Sequence, residues 1–472
     1  MLFNSLEFFL FLPIVFILYW WVFNKSLKAQ NVLILIASYV FYGWWDWRFL
    51  FLIAFSTVVD YLCGLSIHKA EKTSSKKLFL GISLFTNLGL LVFFKYFNFF
   101  IESWIDAWAA LGYTMHASTL NVILPVGISF YTFQTLSYSI DIYRGTLKPT
   151  KDIVAFSAFV SFFPQLVAGP IERASELLPQ IIGSRFFSFK QSTQGLRLIM
   201  WGLFKKIVIA DNCAPFINQV YGDFEHESGA TLVLSAILFS FQIYCDFSGY
   251  SDIAIGTAKL FGIELMSNFR FPYFSRDISE FWRRWHISLS TWFRDYLYIP
   301  LGGSRVNKPK AIRNIFAIFV VSGFWHGANW TFIFWGLINA FLFLPLFLFE
   351  NNKKNVLIVA NHSYLPSLKN VMQIIITFSF ITIAWIFFRS ENLFSSFKYI
   401  ERIFTDFYPS QIRLDKAIYL IPPFVLMEWL SRKDEKNPLP FIGDFYFILI
   451  FALLIGQLRI SFDKVEFIYF QF

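Results

Sequence analysis

The sequence predicts an all-α protein that crosses a membrane several times. Hydrophobic residues occupy 56% of the 472 positions and charged residues only 15%, whereas soluble domains carry about a quarter charged residues. Long apolar runs recur along the chain, and the alternating pattern of a membrane β-barrel is absent. Backbone groups in lipid must find hydrogen-bond partners within the chain, so these runs predict helices.

The apolar runs differ in length. Some approach the roughly 20 residues that cross the bilayer core as a helix, and others are shorter, which indicates tilted, broken or re-entrant segments. The sequence contains 64 Phe, 21 Tyr and 16 Trp, and such aromatic residues suit the membrane–water interface. The runs cover residues 32–45, 49–67, 78–100, 232–244, 312–324, 330–349, 371–388 and 445–458.

Several other classes of protein are disfavoured. The apolar N-terminus lacks a basic region and a small-residue cleavage site, so we expect a first membrane helix and not a removed signal peptide. Three scattered cysteines give neither a disulfide framework nor a metal-binding spacing, and no metal site is expected. The net charge of +9 lies mainly in loops, a distribution typical of membrane topology and not of nucleic-acid binding.

Residues 270–313 are both basic and aromatic. Nine Lys and Arg residues face three acids, and large aromatic residues are interleaved with them. This composition predicts amphipathic helices in the interface or re-entrant helices beneath it. A basic anchor attracted to anionic lipid headgroups is the simpler alternative.

No internal repeat or low-complexity linker divides the chain, so residues 1–472 are predicted to form one membrane domain. Proline and glycine interrupt the apolar pattern at several points. One of these interruptions, at residues 169–173, is predicted to form a re-entrant turn around a pore or active site, because irregular backbone at membrane depth needs protein around it.

His326 is the strongest candidate for a catalytic residue because it lies between two apolar runs. An ionisable side chain at that depth indicates function by default, and burial would keep its imidazole neutral and available as a base. Gly323 and Gly327 leave room for a substrate or a neighbouring helix. An interhelical hydrogen bond is the structural alternative, and the residues alone leave both open.

His286, within the basic and aromatic segment, is a weaker candidate on its own, because a packed histidine at the interface is ordinary. The four other histidines lie in polar or loop-like surroundings and are assigned no role. Asp246 follows an apolar run, and two interpretations stay open: it pairs with a histidine or arginine across the bundle, or it begins a loop. The chain lacks the nucleophile elbow, Walker A and H-E-x-x-H motifs.

Several motifs in the same order resemble those of the membrane-bound O-acyltransferase (MBOAT) family, within its bacterial alginate O-acetylation branch. The resemblance covers most of the chain, with core motifs at about 120–350, and weakens after about residue 390. The motifs are 163–171 (FPQLVAGPI), 246–252 (DFSGYSD), 281–290 (FWRRWHISLS), 292–296 (WFRDY) and 325–327 (WHG).

The resemblance implies a ring of ten or more transmembrane helices, with re-entrant or interfacial helices, around a central tunnel. His326 matches the family's essential histidine, and His286 matches a second polar site that is Asn, Asp or His across the family. Members of this branch are thought to take acetyl groups from a cytoplasmic thioester, such as acetyl-CoA, without a tightly bound cofactor. They pass the groups across the bacterial inner membrane to SGNH-type acetyltransferases that modify polysaccharide.

The same resemblance suggests roles for individual residues. His326 would act as the general base on the accepting hydroxyl or as an acyl-carrying nucleophile, and His286 would stabilise the oxyanion or orient the donor. Arg283, Arg284 and Arg294 would meet the phosphates of CoA.

Several alternatives stay open. They are D-alanyl or peptidoglycan acyl transfer by the same fold, a saccharide flippase or transporter, and a structural anchor for a polysaccharide synthase complex. The sequence does not identify the polymer that receives the acyl group.

Overall fold

The computed structural model describes two compact units, each considered by itself. The first comprises Met1–Gly195 with Ala254–Met266, and the second comprises Leu196–Ile253 with Ser267–Phe472. Whether these units form the single domain predicted for 1–472 stays a prediction. The structure describes residues 1–115, 117–120, 123–458 and 467–468. His116, one of the histidines without an assigned role, lies outside these ranges.

The described part of the chain is helical and contains no β-strand, which confirms the predicted all-α class. Wide π-type turns extend or interrupt the helices at Leu18–Val22, Val92–Tyr96, Phe204–Ala210 and Arg294–Tyr298. The helices are α1 Leu6–Ile17, α2 Leu27–Gly43, α3 Leu50–Lys69, α4 Thr73–Leu91, α5 Phe97–Ala110, α6 Ile128–Arg144, α7 Ile153–Ser161, α8 Phe163–Leu166, α9 Ala174–Ile182, α10 Phe189–Leu203, α11 Asp211–Gly222, α12 Gly229–Leu260, α13 Ile278–Arg284, α14 Ile287–Phe293, α15 Lys308–His326, α16 Trp330–Leu348, α17 Leu368–Arg389, α18 Leu393–Thr405, α19 Ile421–Ser431 and α20 Asp444–Leu458. Short 3₁₀ turns lie at Trp47–Phe49, Phe224–His226, Pro272–Phe274, Pro409–Gln411 and Lys416–Leu420.

Five helical stretches of the described chain are long and apolar enough to cross a membrane. Three shorter apolar helices accompany them: Leu6–Val22, Leu27–Gly43 and Asp444–Leu458. The expectation of ten or more spans stays a prediction. The five stretches are Trp47–Lys69, Thr73–Ala110, Gly229–Leu260, Trp330–Leu348 and Leu368–Arg389.

The predicted re-entrant turn at 169–173 belongs to the first unit. It follows the one-turn helix α8, is largely buried, and has irregular backbone. The Glu172 carboxylate accepts a hydrogen bond from the Met266 amide at 2.6 Å, which fixes the turn within that unit. Whether it borders a pore or active site stays a prediction.

The basic and aromatic segment forms two short helices in the second unit, α13 and α14, of seven residues each. Phe281, Trp285 and Phe293 are buried by protein. Whether these short helices lie in the membrane interface or re-enter the membrane beneath it stays a prediction.

The hairpin of α15 and α16 places His326. The Asn307 side chain caps α15 by accepting from the Lys310 amide, and the Asn329 side chain caps α16 by accepting from the Thr331 amide at 3.0 Å. These caps satisfy amides that a helix start leaves without partners. Residues 327–329 alone connect the two helices, so His326, the last residue of α15, lies close to the start of α16.

Two glycines bring α15 and α16 into close contact. A Cβ at Gly323 would lie 2.2 Å from the Phe332 carbonyl oxygen, and one at Gly336 would lie 2.4 Å from the Phe319 carbonyl oxygen. The room that Gly323 was predicted to leave is therefore taken by the neighbouring helix, as small residues allow in membrane proteins.

We expect Gly336→Ala to destabilise the protein by about 1–3 kcal/mol, because the new methyl group would force the two backbones apart. The measurement is the thermal unfolding midpoint of the purified protein in detergent. Gly89→Ala is the matched control, since a Cβ there meets nothing within 4 Å. Equal midpoints for the two variants would contradict the close packing of α15 on α16.

Candidate active site

His326 is enclosed by aromatic side chains of the second unit. Its side chain is buried, and its ring meets those of Trp335 and Phe388 at centroid distances of 5.2 and 5.3 Å, each in an edge-on arrangement. Trp325 lies beside it at 5.1 Å. These rings come from α15, α16 and α17, so three helices fix the position of one imidazole.

His286 lies at the start of α14 and is also buried. Its backbone adopts the left-handed conformation, with φ 42° and ψ 55°, which costs about 1–3 kcal/mol for a residue other than glycine. Asn268 helps hold this turn: its carbonyl oxygen accepts from the Ile287 amide at 2.9 Å, and its side-chain oxygen accepts from the Ser288 hydroxyl at 2.8 Å. Sequence reasoning missed Asn268, because an asparagine in a loop carries no distinguishing signal.

The structure brings the two histidines together. Their ring centroids are 6.2 Å apart at an interplanar angle of 53°, although α14 and nearly all of α15 separate them in the chain. Phe247 of α12 packs edge-on against His286 at 4.7 Å. Burial lowers the pKa of His286 to about 3, so its imidazole is neutral at physiological pH and interacts as a polar group, not as a cation.

A cavity of about 310 Å³ lies in the same unit, and neither His286 nor His326 is among its lining residues. Ser322, which lines it, is one helical turn before His326 in α15, and Trp282 on its wall packs against Trp335 at 5.7 Å. The cavity therefore approaches the histidines through a wall of aromatic rings. It is lined by Ser279, Trp282, Arg283, Ser290, Phe293, Arg294, Tyr298, Ser304, Ile315, Ile318, Phe319, Ser322, Phe343, Phe347 and Asn352.

Two of the three arginines predicted to bind a donor line this cavity. Arg283 donates to the carbonyl oxygens of Asn352 and Asn355, each at 2.8 Å, and so ties the loop after α16 to α13. Arg294 bonds to the carboxylate of Asp295 at 2.7 Å, and 56% of its side chain remains exposed. Both side chains line the cavity, and the two terminal nitrogens of Arg283 already donate to protein oxygen atoms.

Arg284 is not part of the cavity lining. Its guanidinium pairs with the buried Glu280 carboxylate at 2.8 Å and donates to the Arg270 carbonyl oxygen at 3.1 Å. Arg276 pairs with the same carboxylate at 3.0 Å. Arg284 therefore holds the fold of the segment, in a different environment from its neighbour Arg283.

Asp246 differs from both interpretations of the sequence. It lies within α12, and its carboxylate pairs with the ammonium group of Lys206 at 2.6 Å. It also accepts from the Ile468 amide at 2.6 Å. Asp246 therefore does not begin a loop, and its ion-pair partner among the described residues is Lys206, from the π-type turn after α10, and not an arginine or a histidine. Phe247, the next residue, is the one that contacts His286.

The described chain combines apolar helices long enough to cross a membrane with a buried pair of histidines, an arrangement that suits a membrane-embedded group-transfer enzyme. Residues 149–388 match the sequence model of MBOAT, the membrane-bound O-acyltransferase family. The chain belongs to this family and is an O-acyltransferase. The resemblance seen in the sequence motifs is thereby confirmed.

Named relatives share most of the chain. It is 40% identical to the probable alginate O-acetylase AlgI of Pseudomonas aeruginosa, over 86% of this chain and 75% of the relative. It is 37% identical to the peptidoglycan O-acetyltransferase of Helicobacter pylori, over 85% and 79% of the two chains. The teichoic acid D-alanyltransferase of Bacillus subtilis is 29% identical, over 58% of this chain and 71% of its own.

Proposed function

We propose that this protein transfers an acetyl group from acetyl-CoA, on the cytoplasmic side of a bacterial inner membrane, to a hydroxyl group for the O-acetylation of an extracytoplasmic polysaccharide. The observation that carries the proposal is the buried His286–His326 pair, in the same unit as a cavity that two arginines line. The names of the relatives, an alginate O-acetylase and a peptidoglycan O-acetyltransferase, favour an acetyl group and a saccharide acceptor.

His326 acts as the general base in this proposal. Its imidazole accepts the proton of the acceptor hydroxyl while the oxygen attacks the thioester carbonyl carbon. The tetrahedral intermediate then collapses, the carbon–sulfur bond breaks, and the imidazolium returns its proton to the departing CoA thiolate. The step needs no further reactant, because the acyl group passes to the acceptor oxygen and the proton passes to the CoA thiolate.

His286 supports the same step as a neutral hydrogen-bond donor. The buried ring lies next to His326 and is fixed by Phe247 and by the turn that Asn268 holds. A fixed polar group in a site that excludes water stabilises the negative charge that develops on the carbonyl oxygen. Since its ring is neutral, it can donate one N–H without competing for the proton that His326 carries.

The cavity provides the donor site in this proposal. Its apolar wall, formed by residues such as Ile318 and Phe343, suits the pantetheine arm, and the guanidinium groups of Arg283 and Arg294 suit phosphate. An acceptor that reaches the histidines from the opposite face receives the acetyl group without transport of CoA. The proposal also includes a ring of helices around a tunnel. An SGNH-type partner then passes the group to the polymer.

Acyl transfer and saccharide transport predict different fates for the acetyl group. Purified protein in liposomes receives acetyl-CoA labelled in the acetyl group, and free CoA thiol and labelled acetyl esters are measured against time. Release of CoA that depends on the protein and on an added acceptor, either a saccharide or the SGNH-type partner, supports the proposal. A flippase would leave the label on CoA, and that result would overturn the proposed function.

We expect Arg294→Gln to raise the KM for acetyl-CoA about tenfold, because a charge-assisted bond to phosphate is lost. The KM for a phosphate-free donor, the N-acetylcysteamine thioester, should stay unchanged. Arg305→Gln is the control, since Arg305 is exposed and does not line the cavity. An equal rise in KM for both donors would contradict phosphate binding at Arg294.

A further inference from the structure

A carboxyl group lies buried among three helices of the first unit. Asp60 belongs to α3, which makes up most of the candidate membrane span Trp47–Lys69. The residue has no exposed surface, and α4 and α6 pack against α3 on either side of it. A carboxylate in such a place is costly unless a cation or a proton neutralises it.

No protein cation neutralises Asp60. Among the residues that the structure describes, no Lys, Arg or His lies within ion-pair distance of its carboxyl group. The titratable groups that face it are the thiol of Cys63, one turn further along α3, and the hydroxyl of Tyr138 in α6, and neither can carry a positive charge. The neighbouring helix α7 contains no ionisable side chain, and α2 and α4 present no charged group to Asp60.

The hydroxyl group of Ser83, in α4, has two hydrogen-bond contacts. Its oxygen lies 2.5 Å from Oδ1 of Asp60 and 2.8 Å from Oγ of Ser139, and the geometry suits Ser83 as the donor at both contacts. A hydroxyl group has only one proton to donate. If Ser83 donates it to Ser139, the other contact needs a proton on the carboxyl group, which then donates to the Ser83 oxygen.

The other polar groups of the cluster agree with a protonated Asp60. The side-chain nitrogen of Asn87 lies 2.8 Å from Oδ2 and 3.0 Å from Oδ1 of Asp60, and 3.0 Å from the Ser83 carbonyl oxygen. It can therefore donate one proton to Oδ2 and the other to that carbonyl. The Thr135 hydroxyl, in α6, donates to the side-chain oxygen of Asn87 at 3.1 Å. With one proton on Oδ1, each of these groups has a partner.

A metal cation suits this site less well than a proton. The oxygen atoms around Asp60 lie at hydrogen-bond distances from one another, which leaves no space for an ion between them. The N–H groups of Asn87 point at the carboxyl group, where a cation would need oxygen ligands. The helices also pack closely one turn away, since a Cβ at Gly64 would lie 2.7 Å from a ring carbon of Tyr138.

We propose that Asp60 is a proton-binding site, in which a neutral carboxylic acid donates to Ser83 and joins α3, α4 and α6. The proton makes the carboxyl group compatible with the interior of a membrane protein. Its loss would leave a negative charge among the three helices without a cation beside it. The proposal is independent of the proposed function, because neither the acyl donor nor the two histidines take part.

Infrared spectroscopy of the purified protein in detergent at neutral pH tests the protonation directly. The spectrum of the unaltered protein minus that of Asp60→Asn should contain the carbonyl stretching band of a carboxylic acid, because asparagine keeps the shape of the side chain without the acid. Asp106→Asn is the matched control, since Asp106 is an exposed aspartate of the same unit. Its difference spectrum should contain carboxylate bands alone. Carboxylate bands without an acid band for Asp60 would overturn the proposal.

The pH dependence of unfolding provides a second test. The folded protein keeps the proton on Asp60, whereas an aspartate in the unfolded chain releases it above about pH 4. Folding therefore takes up a proton, and stability falls as the pH rises. Between about pH 4.5 and 7, the thermal unfolding midpoint of the unaltered protein should fall more steeply than that of Asp60→Asn. Parallel curves for the two proteins would contradict proton binding at Asp60.

Sodium ions distinguish a bound proton from a bound metal cation. Unfolding midpoints are compared in sodium chloride and in choline chloride at the same concentration. The difference between the two salts should be the same for the unaltered protein and for Asp60→Asn. Stabilisation by sodium that Asp60→Asn abolishes would show that the site holds a metal cation, and that result would also overturn the proposal.

Discussion

Replacing His326 with alanine is expected to lower the rate of acyl transfer by about 100- to 10,000-fold, the range for loss of a general base. The imidazole lies buried at the end of α15 within three aromatic rings, so water cannot readily replace it as a proton acceptor. The measurement is protein-dependent release of CoA thiol from acetyl-CoA with saccharide acceptor, at equal amounts of folded protein in liposomes.

Two further variants separate catalysis from packing at His326. His326→Gln fills most of the space of the ring but is not a base at neutral pH, so it should be as inactive as the alanine variant while unfolding at a temperature closer to that of the unaltered protein. His226→Ala removes an exposed histidine that is paired with Asp223 and should leave the rate unchanged. Full activity of His326→Gln would contradict the assignment of His326 as the general base.

His286 is expected to give the second-largest effect. His286→Leu removes the polar group and should lower the rate about 100- to 1,000-fold, as loss of an oxyanion donor does. His286→Asn should retain more activity for two reasons: its amide donates a hydrogen bond, and asparagine tolerates the left-handed backbone that φ 42° requires. The rates of the two variants are compared at matched unfolding midpoints.

The pH dependence provides an independent test of His286. Burial places the pKa of His286 at about 3, so its protonation would be felt only far below neutral pH. The acid limb of the rate profile between about pH 5 and 8, where an ordinary histidine titrates, should therefore be the same in the unaltered protein and in His286→Asn. Disappearance of that limb in the asparagine variant would show that His286, and not another group, titrates there.

The class of the protein could be predicted from composition, because a soluble protein of this length would carry a larger fraction of charged residues than 15%. His326 could be singled out for a similar reason: an ionisable group between apolar runs is costly enough to need an explanation. His286 could not be singled out with the same force, since its surroundings are ordinary in the sequence. His286 becomes a strong candidate only in the folded protein, where its ring centroid lies 6.2 Å from that of His326.

The arginines show why local pattern was insufficient. Arg283 and Arg284 are adjacent in α13, but successive residues on a helix point about 100° apart. One guanidinium therefore lines the cavity while the other pairs with Glu280 in the protein interior. The rotation of a seven-residue helix about its axis is set by what packs against it, and no signal in the local sequence reports that.

By itself, the sequence determined a helical membrane protein, the family to which it belongs and a candidate histidine between two apolar runs, because these follow from solvation and from motifs along one stretch of chain. Only the tertiary structure decided which groups meet: the two imidazoles, Arg283 and Arg294 around one cavity, and Lys206 with Asp246. Those contacts depend on the packing of helices that are distant in sequence. A shift of one helix by a single turn relative to its neighbour would bring different side chains together.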